Sequence, residues 1–255
     1  MTRKWLIPDR TTTPAQATRN YWESLHKETD YASVYSLTED AHLRSKIVAD
    51  IEQLMPQRIL IPGCGTRTVL QEDLVQFFRD SVIICNDFPG VVDIAERKFN
   101  HPRVEYIGGD VRDLDLPSVD AVIHITSTVS NSDLENRAIL ENSVRLLRGT
   151  GSLVGLFPTV FATLDIAYTT RETWRTEALD LSRSSYSEPK QMVEQIFYTP
   201  SRLRVVLRES GVNLERMEIF FNDSDYLKQQ GAIHYGLEDD DAVLYHLYVV
   251  GGKCE

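Results

Sequence analysis

Cysteine is scarce: Cys64, Cys85 and Cys254 are the three in 255 residues, odd in number and far apart. No CxxC pair or Cys/His ligand spacing accompanies them, which excludes a disulfide framework and a structural zinc site. No acid or histidine cluster suits a catalytic metal, so none is expected. No run of roughly 18 uninterrupted apolar residues occurs, which excludes a transmembrane helix. The opening MTRKWLIPDRTTTP lacks the apolar core of a signal peptide, so a cytoplasmic protein is expected. Basic charge is also short. Lys and Arg number 27 against 38 Asp and Glu, a net charge of −11. A surface of that sign repels phosphate backbones and argues against nucleic acid as the partner. There is no nucleophile elbow, internal repeat or low-complexity tract.

What is present is an alternation. Hydrophobic residues make up 42% of the chain, enough for one sizeable core. Two helical stretches precede residue 54. The first carries Tyr21, Trp22 and Leu25; the second, Ala41–Leu54, puts Leu43, Ile47, Ile51 and Leu54 on one face. From Arg58 on, short apolar runs alternate with helical periodicity. Strands are expected at 58–62, 81–86, 103–107, 121–125 and 151–157. Helices are expected at 69–78, 91–99 and 134–147. Short apolar strands between helices read as a buried parallel sheet with helices on both faces. The rhythm breaks at Thr159–Phe197, a partly helical insertion. A helix then starts with Thr199 as cap and Pro200 in the first position and ends at Ser210-Gly211. Strands at 214–221 and 242–250 close the chain. The charged runs Arg202–Arg208 and Glu238–Asp241 read as solvated faces.

Three features fall at successive strand ends. The first strand runs into Gly63-Cys64-Gly65-Thr66-Arg67 before a helix, a place where backbone N–H groups face a ligand and a Cβ would block its approach. Asp87 follows the second strand, 22 residues beyond Gly65, where a carboxylate can accept from both hydroxyls of a ribose. Asp110 follows the third strand, where it can accept from an adenine amino group. Ligands of open α/β sheets bind at this edge. An NAD-dependent oxidoreductase is the competing reading, but Arg67 stands where its third loop glycine would be.

The motifs Ile-Leu-Ile-Pro-Gly-Cys-Gly-Thr-Arg, Asn86-Asp87-Phe88, Gly109-Asp110-Val111 and Val119-Asp-Ala-Val-Ile-His124 resemble those of the class I S-adenosylmethionine (SAM) dependent methyltransferases. The resemblance runs in order from Arg58 to Leu156 and more loosely to the last two strands. It implies a Rossmann-like α/β fold: a doubly wound, seven-stranded, mostly parallel sheet with an antiparallel last strand. It implies one domain over 1–255, with an N-terminal helical lid segment (1–54), a cofactor-binding core (58–158), a lid or substrate insertion (159–197), and a C-terminal helix with closing strands (198–255). SAM is the implied cofactor. Gly63, Cys64 and Gly65 would hold its methionine part, Asp87 its ribose, Phe88 the adenine face, and Asp110 with Val111 the adenine edge. His124 or Ile125 would line the sulfonium region. The family often carries an acid two residues before the first glycine; here that residue is Ile61, so one contact to the ligand's ammonium is missing.

Methyl transfer depends mainly on positioning and needs a base only when the nucleophile is protonated. No residue declares itself as that base. His124, Tyr168 and Tyr31 are the candidates. Tyr21, Tyr31, Tyr35, Tyr168 and Trp174 are the expected lid residues, whose aromatic faces can stabilise a sulfonium. Trp22, Arg171, Arg175, Tyr186 and Phe197 share those segments. The expected function is methylation of a small molecule. Two alternatives stand beside it. One attacks the aminocarboxypropyl carbon of SAM, cyclising it to azetidine-2-carboxylate with release of methylthioadenosine. The other is a SAM-binding module without catalysis.

Overall fold

A computed structural model describes residues 20–24, 37–172, 174–188, 193–223, 225–238 and 243–254. Its centre is a seven-stranded sheet. The strands are β1 (Arg58–Pro62), β2 (Val82–Asp87), β3 (Val104–Gly108), β4 (Val119–Ile125), β5 (Leu147–Pro158), β9 (Val212–Asp223) and β10 (Val243–Lys253), in the order β3-β2-β1-β4-β5-β10-β9. The first five run parallel. β10 is antiparallel to both β5 and β9, so it alone is reversed. This is the expected doubly wound sheet with an antiparallel last strand.

Period-two alternation divides the apolar residues of each strand between two layers. Ile59 and Ile61 of β1, with Ile83 and Cys85 of β2, face the layer formed by α1 (Ala41–Glu52), α2 (Val69–Phe77) and α3 (Pro89–Lys98). Leu60 and Ile84 face the layer formed by α4 (Asp133–Leu146) and α7 (Pro200–Glu209). Leu43, Ile47 and Ile51 are the buried stripe of α1, as the periodicity implies. Thr199 caps α7 by accepting from the Arg202 amide, and Pro200 opens it.

The insertion is more ordered than its sequence suggests. It comprises α5 (Val160–Thr169), α6 (Trp174–Glu177) and an antiparallel sheet of β6 (Leu179–Asp180), β7 (Ser185–Glu188) and β8 (Val193–Ile196). Its return strand is stitched to the loop after β4: the Ile196 amide donates to Ser130 O at 3.0 Å, and the Tyr198 hydroxyl donates to Thr128 O. Helix α8 (Asp225–Tyr235), unmarked in the sequence reading, stacks Tyr235 on Tyr168 of α5 with centroids 4.7 Å apart. Arg202 also departs from expectation. It is no freely solvated charge: it makes a forked pair with Asp133 at the start of α4.

Asp120 of β4 pins the lower edge of the sheet. Its side chain is 4% exposed, accepts from the amides of Gln57 and Arg58 at 2.7 and 2.8 Å, and pairs with Arg148. Asp120→Ala would orphan two amides and leave the Arg148 guanidinium to solvent. The expected cost is about 3 kcal/mol, read as a lower midpoint in urea unfolding with unchanged slope.

Candidate active site

The β1–α2 turn is shaped by two left-handed residues, Gly63 at φ 63° and Gly65 at φ 66°. Left-handed backbone suits glycine, which has no Cβ to clash. A Cβ on Gly63 would also lie 2.4 Å from the Cβ of Ser127, in the turn after β4. The Cys64 amide donates to Asn86 O at 3.1 Å, and Lys98 reaches from the end of α3 to Thr66 O at 3.1 Å. Arg67 points away to pair with Glu39.

Asp87 stands beside this turn at the tip of β2. One carboxylate oxygen accepts the Gly65 amide at 2.9 Å and the other the Phe88 amide at 2.7 Å. Burial pushes its pKa up to about 6 against the pull of these amides, and the charge of Glu23 adds to the rise. Glu23 belongs to the short helical segment at 20–24, where Tyr21 packs edge-on against Trp22 at 4.8 Å. Glu23 thereby adds its charge to the field at Asp87.

Asp110 is placed by Asn86, whose amide donates to Ile107 O and Gly109 O at 3.0 and 3.1 Å. It caps the helical turn Val111–Asp113 through the Arg112 amide, and it also forms a forked pair with the Arg112 guanidinium. Its lone pairs are thus partly committed, and an adenine amino group would share them.

His124 does not fit the part of a base. It is fully buried, with Nδ1 2.9 Å from Ser127 Oγ and Nε2 3.0 Å from Ser143 Oγ. Both nitrogens are engaged, and burial lowers its pKa to about 3. The imidazole is enclosed between the turn after β4 and helix α4. Tyr168 is 65% exposed and packs on Tyr235. Arg171 stacks over Tyr235 at 5.0 Å. Tyr186 and Phe197 stack on each other at 5.9 Å. Trp174 opens α6. Tyr31 and Tyr35 lie outside the described residues.

Sequence reasoning missed Ser127, Asn86 as a clamp, Lys98 and Glu23. Asn86 directly precedes Asp87 and carried a readable hint. The other three act across the fold and leave no local mark.

The residues at the edge fit a nucleoside bearing an amino-acid tail. The Asp87 carboxylate can accept from ribose hydroxyls, and the two glycines of the turn, Gly63 and Gly65, present no Cβ to a tail. Comparisons with known proteins agree. The model of the O-methyltransferase domain family matches residues 17–170. Ribosomal RNA small subunit methyltransferase A of Mycoplasma capricolum is 32% identical over 104 residues, 41% of this chain and 35% of the relative; the chain therefore matches about a third of that protein's length. Burkholderia thailandensis 1,6-didemethyltoxoflavin-N1-methyltransferase, solved with 1,6-didemethyltoxoflavin and S-adenosylhomocysteine, has a TM-score of 0.63 at 16% identity, covering 98% of this chain and 94% of that one. A SAM-dependent methyltransferase from Methanosarcina mazei scores 0.62 at 12% identity, covering 82% and 98%. An O-methyltransferase of neocarzinostatin biosynthesis, solved with SAM and 2-hydroxy-5-methyl naphthoic acid, scores 0.60 at 15% identity, covering 96% and 65%. At these identities the solved structures speak for the shared fold.

Proposed function

This chain belongs to the O-methyltransferase domain family, and we propose that it is a SAM-dependent enzyme that methylates an ionisable hydroxyl of a small molecule. SAM supplies an electrophilic methyl group on its sulfonium. The chain's own contribution is positional. Asp87 holds the ribose hydroxyls, Phe88 packs on the adenine, Asp110 and Val111 meet the adenine edge, and Gly63–Gly65 admits the methionine tail. The N-terminal segment and residues 159–197 form the acceptor lid, with Tyr21 and Tyr168 among its aromatic contributors.

The observation that carries the acidic-hydroxyl reading is His124, whose two nitrogens are both taken. A phenol or enol that ionises readily needs little help from a base, whereas an aliphatic alcohol needs much. A small acceptor is supported by the net charge of −11, which opposes an RNA substrate despite the rRNA-modifying relative. It is also supported by the small molecules bound in the two structural neighbours.

The test is mass spectrometry of the protein with methyl-labelled SAM and a panel of phenols, enols and aliphatic alcohols. Label should pass to phenols or enols, with S-adenosylhomocysteine formed in step. Methylthioadenosine formed from SAM with no acceptor present would sink this reading in favour of attack at the aminocarboxypropyl carbon.

A pH dependence follows from Asp87. The ribose hydroxyls bind its ionised form, and that form is scarce below the raised pKa of about 6. SAM affinity should therefore fall about tenfold from pH 7 to pH 5. The α-amino group of SAM titrates only near about 8, so it stays protonated from pH 5 to 7 and contributes no change of its own there. Calorimetric titrations at pH 5, 6 and 7 check this; an affinity flat from 5 to 7 would contradict it.

A further inference from the structure

The turn after β4 combines three features that the fold alone does not require. Thr126 has φ 49°, a left-handed conformation that a β-branched residue rarely adopts. Such conformations persist only where the surroundings over-determine them. Here the Thr126 amide donates to Leu156 O at 2.8 Å, the Thr128 carbonyl accepts from Tyr198, and Ser127 bonds to His124. The result drives the Ser127 side chain against the backbone of Gly63.

The hydrogens around His124 can be assigned. The Ser143 hydroxyl donates to Ile139 O at 2.9 Å, so its oxygen is left to accept from His124 Nε2–H at 3.0 Å. Nδ1 is then the bare nitrogen, and it accepts from the Ser127 hydroxyl at 2.9 Å; Thr128 Oγ1, at 3.3 Å, is the more distant neighbour. With its hydrogen spent on His124, Ser127 Oγ has only lone pairs to offer. It offers them beside Gly63, where Ile61 supplies no carboxylate. Burial keeps the imidazole neutral throughout the physiological range, so this polarity does not reverse with pH.

We propose that Ser127 Oγ is the acceptor for the ammonium group of SAM, and that His124 is a positioning residue which holds Ser127 in that role. The inference rests on the reading of the crevice as the SAM site. It assigns to a hydroxyl the contact that a carboxylate before the glycine turn would otherwise make.

The test compares S-adenosylhomocysteine with methylthioadenosine, which share the nucleoside and the thioether but differ in the amino-acid tail. Binding to the full chain is measured by calorimetry. Ser127→Ala should weaken S-adenosylhomocysteine about tenfold, the loss of one hydrogen bond to a charged group. It should leave methylthioadenosine within about twofold. His124→Asn keeps an acceptor near the Nδ1 position and should retain affinity for S-adenosylhomocysteine within about threefold. His124→Gln places its amide nearer the Nε2 position and should reproduce the Ser127→Ala loss.

If the buried His124 variants fail to fold, the half-buried Ser127→Ala decides alone. The inference is overturned if Ser127→Ala leaves S-adenosylhomocysteine unaffected, or weakens both ligands equally. Wild-type binding of neither ligand would overturn the reading of the site itself, and this inference with it. Binding of both, with no selective loss in Ser127→Ala, would overturn the inference alone.

Discussion

Asp87→Ala is expected to weaken SAM binding at least about a hundredfold while leaving the chain folded. The carboxylate would accept two ribose hydroxyls. Hydrogen bonds to a charged group contribute about 1.5–3 kcal/mol each, and water recovers only part of the loss. The substitution also releases the Gly65 and Phe88 amides, which the same carboxylate holds at 2.9 and 2.7 Å. The turn then loses its anchor together with the ligand. Asp87→Asn should fare little better, because one end of the amide becomes a donor facing a donor. Relief of a half-buried carboxylate with a raised pKa should keep the apo protein at least as stable above pH 6. A calorimetric Kd together with a urea unfolding midpoint separates the two effects. Unchanged SAM affinity would remove Asp87 from the site.

Gly63→Ala is expected to damage binding comparably and stability besides. The alanine must adopt φ 63° and must place a Cβ 2.4 Å from that of Ser127. One of the two must move, and Ser127 is held by His124. Destabilisation of about 2 kcal/mol is expected from the strained conformation and the clash together. Gly65→Ala suffers the conformational part at φ 66° and is the comparison. If the clash is the larger cause, Ser127→Gly in the Gly63→Ala background should recover part of the stability. No recovery would mean that the backbone conformation alone sets the cost.

These two residues are legible in the sequence, for a physical reason. A glycine turn and an acid at the next strand tip are local signatures, fixed by how closely a ligand must approach the backbone. The strands were legible too, since a doubly buried parallel strand is a short apolar run: β1 falls at 58–62 as read, and α7 starts on its Thr-Pro cap. What escaped depends on long-range contact. His124 reads as a polar residue at a strand end, and only the arrival of Ser143 from α4 shows that its second nitrogen is occupied. The left-handed backbone of Thr126 has no signal in a β-branched residue. The three-stranded sheet of the insertion uses strands of two to four residues, too short for periodicity to declare. Arg202 looked solvated because its partner, Asp133, lies 69 residues away.

The most direct test of the whole account is a calorimetric titration of SAM into the purified chain at pH 7.5. One saturable site is expected, with an affinity in the micromolar range, about that of an enzyme tuned to cellular substrate levels, and with competition by S-adenosylhomocysteine. Absence of saturable heat, or binding that survives Asp87→Ala at full strength, would contradict it.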